Sequence, residues 1–144
     1  MDFISRFMAL VFIAALSPFF FIISFMSLIF QRMPIFYIQI RVGKAFKPFK
    51  LFKFRTMKNI SGSLITLDND ERITVWGRIL RKTKLDELPQ LLNVLVGDMH
   101  FVGPRPEIPQ YVDKENFAFL KMVKPGMTDF ASILFRHESE ILQK

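Results

Sequence analysis

A run of 24 residues without a charged side chain, Phe7 to Phe30, constrains this chain more than any other feature. As a straight helix it would extend about 36 Å, enough for a hydrocarbon core of about 30 Å. A single spanning anchor is the simplest reading, and two features complicate it. Ser17-Pro18 falls near the middle, where proline removes a helical hydrogen bond and bends the axis. Basic residues flank both ends, Arg6 before and Arg32, Arg41 and Lys44 after, whereas a spanning helix usually carries its positive charge on one side. A helix that enters, bends at Ser17-Pro18 and leaves by the same face would keep both basic ends in the cytoplasm. The Ser17 hydroxyl could then bond a carbonyl freed by the proline. Composition leaves the spanning and re-entrant forms open. A cleaved signal peptide fits poorly, because the run is long and no small-residue cleavage site follows it.

The other 120 residues suit one modest domain. The formal net charge of +7 favours anionic partners: phosphates, nucleotides or acidic lipid. Nucleic acid fits poorly, because the 18 Phe lie in apolar runs rather than as spaced stacking platforms. With no Cys and only two His, thiol chemistry, Cys-metal sites and His-rich metal sites are excluded.

No acidic residue occurs from Phe3 to Leu67, and eight basic ones lie from Arg32 to Lys58. Ile35–Val42 and Phe49–Met57 read as two strands joined by a turn at Gly43-Lys44. In Phe52-Lys53-Phe54-Arg55 the alternation places Phe52 and Phe54 on one face and Lys53 and Arg55 on the other. The polar face offers two cations to a phosphate, although a basic face can also simply adjoin anionic lipid.

A polar turn at Asp68–Glu71 opens a predicted helix, Ile73–Lys82. Its apolar stripe is Val75, Trp76, Ile79 and Leu80, with Arg78 and Arg81 on the polar side. Pro89 is tolerated only in a helix's first turn, so a second helix is expected to start at Lys84 to Asp86. Leu88, Leu91, Leu92 and Leu95 would form its buried face and Gly97 its end. Asp86 then lies where a helix N-terminus favours negative charge, and an N-cap is the plain reading. A cap needs one acid, however, and Glu87 adds a second. Adjacent carboxylates repel and call for a metal or cations nearby. A carboxylate held in that way can attack phosphorus or ligate Mg2+, and Asp98 could assist. In Val102-Gly103-Pro104-Arg105-Pro106, flanking prolines stiffen the loop that presents Arg105, whose guanidinium can take a phosphate by two bonds. The candidate phosphate-binding set is Lys53, Arg55, Arg78, Arg81 and Arg105.

In their order and spacing these residues resemble the bacterial sugar transferase family, small monotopic phosphoglycosyl transferases. The matching stretches are Ser17-Pro18, residues 34–43 (PIFYIQIRVG), 53–57 (KFRTM), Gly77-Arg78, 85–90 (LDELPQ), Gly97-Asp98-Met99, 102–106 (VGPRP) and Lys124-Pro125-Gly126. The resemblance implies a re-entrant helix bent at Ser17-Pro18. It implies that Asp86 attacks the β-phosphate of a UDP-sugar, that UMP leaves, and that polyprenyl phosphate then takes the phosphosugar from the carboxylate. It further implies that Glu87, with Asp86 beside it, holds Mg2+, and that Lys53, Arg81 and Arg105 bind phosphate. Three departures stand out. His100 occupies a position where Ser is usual. Asp129-Phe130-Ala131-Ser132 replaces a Gly followed by small residues. Family members usually continue well past the position of Lys144, so the chain reads as a truncated form.

The expected fold is therefore α/β and monotopic. Residues 1–33 are expected to form a re-entrant membrane helix broken at Ser17-Pro18. Residues 34–144 are expected to form a compact cytosolic domain of short helices and a small β-hairpin. The expected partners are a UDP-sugar, polyprenyl phosphate and membrane lipid, at the cytosolic face of the bacterial cytoplasmic membrane. A membrane-tethered module that binds nucleotide sugar or anionic lipid without chemistry is the alternative.

Overall fold

Helix α1, Asp2–Gln31, carries the whole apolar run. In the computed structural model, which describes residues 2–58 and 70–129, the helix continues through Pro18. The expected break is thus reduced to one missing backbone bond. Proline at 18 leaves the Ala14 carbonyl without its usual donor, and the Ser17 hydroxyl donates to that carbonyl at 2.8 Å. The helix is long and apolar enough to cross a membrane. Only Ala9, Ile23 and Ser27 of it are buried against the protein.

Two strands follow, β1 (Phe36–Val42) and β2 (Pro48–Phe54), paired antiparallel with Tyr37 opposite Lys53 and Arg41 opposite Phe49. The second strand stops short of the expected Met57. Arg55 and Thr56 leave the ladder, and Met57 makes a lone bridge with Ile73. That bridge also takes Ile73 out of the expected helix. Helix α2 runs Val75–Lys82 and is capped by Thr74, whose side-chain oxygen accepts the Gly77 N–H at 2.9 Å. Of the expected apolar stripe, Leu80 and Trp76 pack inward, while Val75 and Ile79 stay exposed. Gly77 lets α2 lie directly on the backbone after β2: a Cβ there would meet the Thr56 carbonyl oxygen at 1.9 Å. Asp68 and Asn69 of the expected opening turn lie outside the described residues.

The second predicted helix starts later than expected. Residues Leu85–Glu87 form one 3₁₀ turn, and α3 begins at Gln90 and ends at Val96. Pro89 sits at the N-cap with φ −60°, where its missing N–H costs nothing. Gly97 closes α3 in the left-handed region at φ +94°, as expected. Leu91 and Val94 face the core, and Leu92 points outward. Then β3 (His100–Val102) pairs in parallel with β4 (Gly126–Thr128), a partner the sequence reading did not foresee.

Two apolar clusters hold these elements together. One joins Ala9, Phe49, Leu51, Val94 and Met99; the other joins Ile23, Phe54 and Leu80, with Phe20, Trp76, Leu85 and Leu88 against it. Each therefore contains a residue of α1 and a residue of β2. Polar contacts repeat the pattern at both ends of the helix. Near its start, Asp2 pairs with His100 at 3.1 Å and Lys124 at 3.2 Å, and Arg6 donates to the Val96 carbonyl at 3.0 Å. Near its end, Trp76 donates to the Ser27 hydroxyl at 2.9 Å, and the Arg55 guanidinium bonds the carbonyls of Gln31 and Arg32.

Candidate active site

The adjacent carboxylates lie on the 3₁₀ turn before α3. Lys84 takes a left-handed conformation, φ 59°, and turns the chain into it. Leu85 and Leu88 are drawn into the cluster around Phe54 and Leu80. Apolar anchors on either side thus fix the pair between them. Asp86 is only 8% exposed. No side chain caps α3, and no hydrogen bond reaches the Asp86 carboxylate among the described residues, so the plain N-cap reading is not what the fold uses. Burial pushes the Asp86 carboxyl above its ordinary value, and the Glu87 charge adds to this; Lys53, Arg81 and Lys84 pull the other way.

Glu87 is held differently. One of its oxygens accepts from Lys53 Nζ at 3.1 Å and from Arg105 Nη2 at 3.3 Å. Burial works to raise its carboxyl, but the two cations outweigh it and hold Glu87 below the ordinary value. Burial also draws Lys53 below the usual lysine value, because Arg105 offsets part of the support from Glu87. Among the described residues the site is therefore a glutamate pinned by two cations beside an aspartate that no hydrogen bond holds, with cations on β2, on α2 and in the loop after β3.

Most of the candidate set falls near this point. Lys53 and Arg105 touch Glu87 directly. Arg81 is held by Thr56 Oγ1 at 3.1 Å and by the Met57 sulfur at 3.6 Å, and its charge acts on Asp86. Arg78 is exposed on α2 and makes no side-chain hydrogen bond or ion pair among the described residues. Arg55 is 8% exposed, and its guanidinium bonds the Gln31 and Arg32 carbonyls at the end of α1. Asp98 follows Gly97 at the opposite end of α3 from the dyad.

Asn93 is a residue that sequence reasoning missed. It is fully buried, accepts the Phe52 N–H at 3.1 Å and donates to the Lys50 carbonyl at 2.7 Å. Its amide thus takes the place of a neighbouring strand along the free edge of β2, and fixes Lys53 relative to the turn that carries Glu87. The signal was available, since a lone amide among Leu91, Leu92, Val94 and Leu95 must find partners once buried.

For a magnesium ion the donor chemistry is suitable though sparse. No cluster of three or more His, Cys, Asp or Glu exists among the described residues. Mg2+ is commonly held by one or two carboxylates together with substrate phosphates, and Asp86 offers oxygens that no hydrogen bond reaches among the described residues.

Several known proteins are similar to this chain. The chain is 50% identical over 105 residues to EpsL, an uncharacterised sugar transferase of Bacillus subtilis (strain 168), covering 69% of this chain and 51% of that protein. It is 36% identical over 115 residues to a UDP-N-acetylgalactosamine-undecaprenyl-phosphate N-acetylgalactosaminephosphotransferase of Aeromonas hydrophila, covering 74% and 27%. It is 40% identical over 120 residues to a UDP-glucose:undecaprenyl-phosphate glucose-1-phosphate transferase of Escherichia coli (strain K12), covering 77% and 26%. The chain thus spans from about a quarter to about half of the length of these relatives. The profile of one family matches residues 1–144 throughout, and by that match the chain belongs to the bacterial sugar transferase family.

Proposed function

We propose that the protein transfers a sugar-1-phosphate from a UDP-sugar to polyprenyl phosphate. An Asp86 oxygen attacks the β-phosphorus of the donor. The bond from that phosphorus to the bridging oxygen breaks, and UMP departs with the electron pair. A phosphate oxygen of the polyprenyl acceptor then attacks the same phosphorus, and Asp86 is released. One phosphoanhydride is exchanged for another, so no further energy source is needed, and one site serves a soluble donor and a lipid acceptor in turn. Glu87 and Asp86 are the residues that would hold Mg2+, which supplies charge neutralisation at the diphosphate. Lys53, Arg81 and Arg105 position the phosphates and offset charge as it moves to the leaving group.

The observation that carries this reading is the Asp86 carboxylate itself: buried, without a hydrogen bond among the described residues and outside any cap, beside a glutamate already committed to two cations. A purely structural acid would be satisfied. The relatives named for transfer to undecaprenyl phosphate support the acceptor class. The test is to incubate the protein in membranes with a panel of UDP-sugars, Mg2+ and undecaprenyl phosphate. Acceptor-dependent UMP release is expected with at least one donor. Donor binding without UMP from any of them would favour the non-catalytic module.

The same reading places the protein at the cytosolic face of the cytoplasmic membrane, with both ends of α1 on that face. Contacts of the same domain with both ends of α1 support this, because a helix crossing a bilayer would put its two ends in different aqueous compartments, where one polar domain on one side could not touch both. Cysteines replacing Asp2 and Lys58 should both resist a periplasmic thiol reagent in intact cells and react after lysis. Labelling at position 2 in intact cells would establish a spanning helix instead.

A further inference from the structure

Arg105 is half exposed and reaches Glu87 by a single bond, so its placement depends on the loop that carries it. That loop is clamped on both sides. Before Arg105, the Gly103 N–H donates to the Thr128 carbonyl at 3.0 Å and the Gly126 N–H to the Pro104 carbonyl at 2.9 Å. After it, the Val42 N–H donates to the Glu107 carbonyl at 2.9 Å and Arg41 Nη1 to the Pro106 carbonyl at 3.0 Å, with the Glu107 carboxylate 3.9 Å away. Arg41 is itself immobilised, because Gln39 Oε1 accepts from Nε at 3.1 Å and from Nη2 at 2.8 Å. Only 16% of its side chain is exposed. Burial and the neighbouring Arg105 cation both oppose its charge, and Glu107 favours it. A cation kept there against those costs, and bonded to the carbonyl of Pro106, the residue after Arg105, rather than to the dyad, is arranged to hold that loop.

We propose that Arg41, braced by Gln39, is a positioning residue for Arg105: it fixes the Pro104–Glu107 bracket against β1 so that the Arg105 guanidinium meets Glu87 and the donor diphosphate. The proposal rests on the transfer reading above. Its chemistry needs the arginine fork, since one guanidinium satisfies two acceptors in different directions and an ammonium cannot do so with fixed geometry.

The experiment is a double-mutant cycle on the membrane-embedded chain with Arg41→Ala, Arg105→Ala and the double variant, read as kcat/KM for UMP release. Hydrogen exchange at the Val42 and Gly126 amides, which bond the Glu107 and Pro104 carbonyls, is followed in parallel. Arg41→Ala should lower kcat/KM about 50- to 100-fold, the scale of an active-site group displaced by about 1 Å. In the Arg105→Ala background the same change should cost less than about threefold. Arg41→Lys should recover little, and the two amides should exchange faster in Arg41→Ala. Should Arg41→Ala fail to fold, Gln39→Ala keeps the guanidinium and removes only its brace; its smaller loss should also vanish without Arg105. Equal losses in both backgrounds, or none, would overturn the proposal and leave Arg41 a general scaffold residue. Absence of UMP from the wild type would defeat the transfer reading alone. The bracket is then judged by exchange, and unchanged protection at Val42 and Gly126 in the variants would overturn it.

Discussion

Asp86→Asn should give a protein that folds, is at least as stable as the wild type at neutral pH, and is inactive. The stability half follows from burial. The folded state holds the Asp86 carboxyl above its ordinary value of 3.8, so it favours the protonated form. Any stability that this group supplies is present at low pH and is lost as pH rises through the raised value, which leaves a cost at pH 7. Asparagine keeps the shape and removes the charge. Glu87→Gln should behave in the opposite way. The folded state holds Glu87 below its ordinary value of 4.5, so its contribution is present above that value and disappears only as pH falls through the depressed one. Its removal should therefore lower the melting temperature at pH 7 and matter little in acid. For activity, an amide cannot form the acyl-phosphate, and a loss of about 10⁴-fold or more is expected, the scale of removing a group that works as part of a nucleophilic unit. With labelled UDP-sugar and no acceptor, wild type should retain label on protein and release about one UMP per site, and Asp86→Asn should do neither. Transfer by the wild type without labelled protein, and with UMP appearing only when both substrates are bound, would assign the dyad to the metal and make the mechanism direct transfer.

The parts of this fold that were legible in the sequence are those set by local chemistry. The Lys53 alternation, the close of α3 at Gly97 and the hairpin over 36–54 all follow from side-chain period and backbone preference. What escaped depends on contacts between distant segments. Arg55 continues the alternation on paper, yet the strand ends at Phe54 and its guanidinium serves the carbonyls of Gln31 and Arg32 where α1 ends, which no local pattern announces. The start of α3 slipped because a left-handed Lys84 and a 3₁₀ turn precede Pro89, whereas proline alone marks only a first turn. Val75 and Ile79 satisfy a helical stripe but face outward, as apolar residues can in a protein that meets lipid. The pairing of Glu87 with both Lys53 and Arg105 joins positions 34 and 18 residues away. Charge content made cations near the dyad an expectation, but their choice of Glu87 over Asp86 belongs to the tertiary structure. The stretch 130–132, read as a point of divergence, lies outside the described residues.

Lys53→Met should be the most damaging single change among the cations. The Lys53–Glu87 pair is 3.1 Å long, with side chains only 18% and 12% exposed. Breaking a buried pair by removing one partner costs about 3–5 kcal/mol. Here Arg105 remains on the same Glu87 oxygen and some water reaches the pair, so about 2–3 kcal/mol is expected, a fall in melting temperature of roughly 5–10 °C in detergent. Methionine fills the space of the lysine stem, which confines the effect to the charge. Activity should fall further than stability explains, and its pH profile should move. Lys53 is the strongest of the cations acting to lower the Asp86 carboxyl. Without it Asp86 binds its proton more tightly, so the acid limb of kcat/KM should shift to higher pH. Arg105→Ala should move that limb less, since Arg105 is not among the groups acting on Asp86. The double variant Lys53→Met with Glu87→Gln leaves no buried charge unpaired at that contact, and should regain much of the lost stability without regaining activity. A Lys53→Met protein with unchanged melting temperature and an unmoved acid limb would mean that the ammonium neither pairs with Glu87 nor reaches Asp86 in the membrane, and the phosphate-binding role would pass to Arg81 and Arg105.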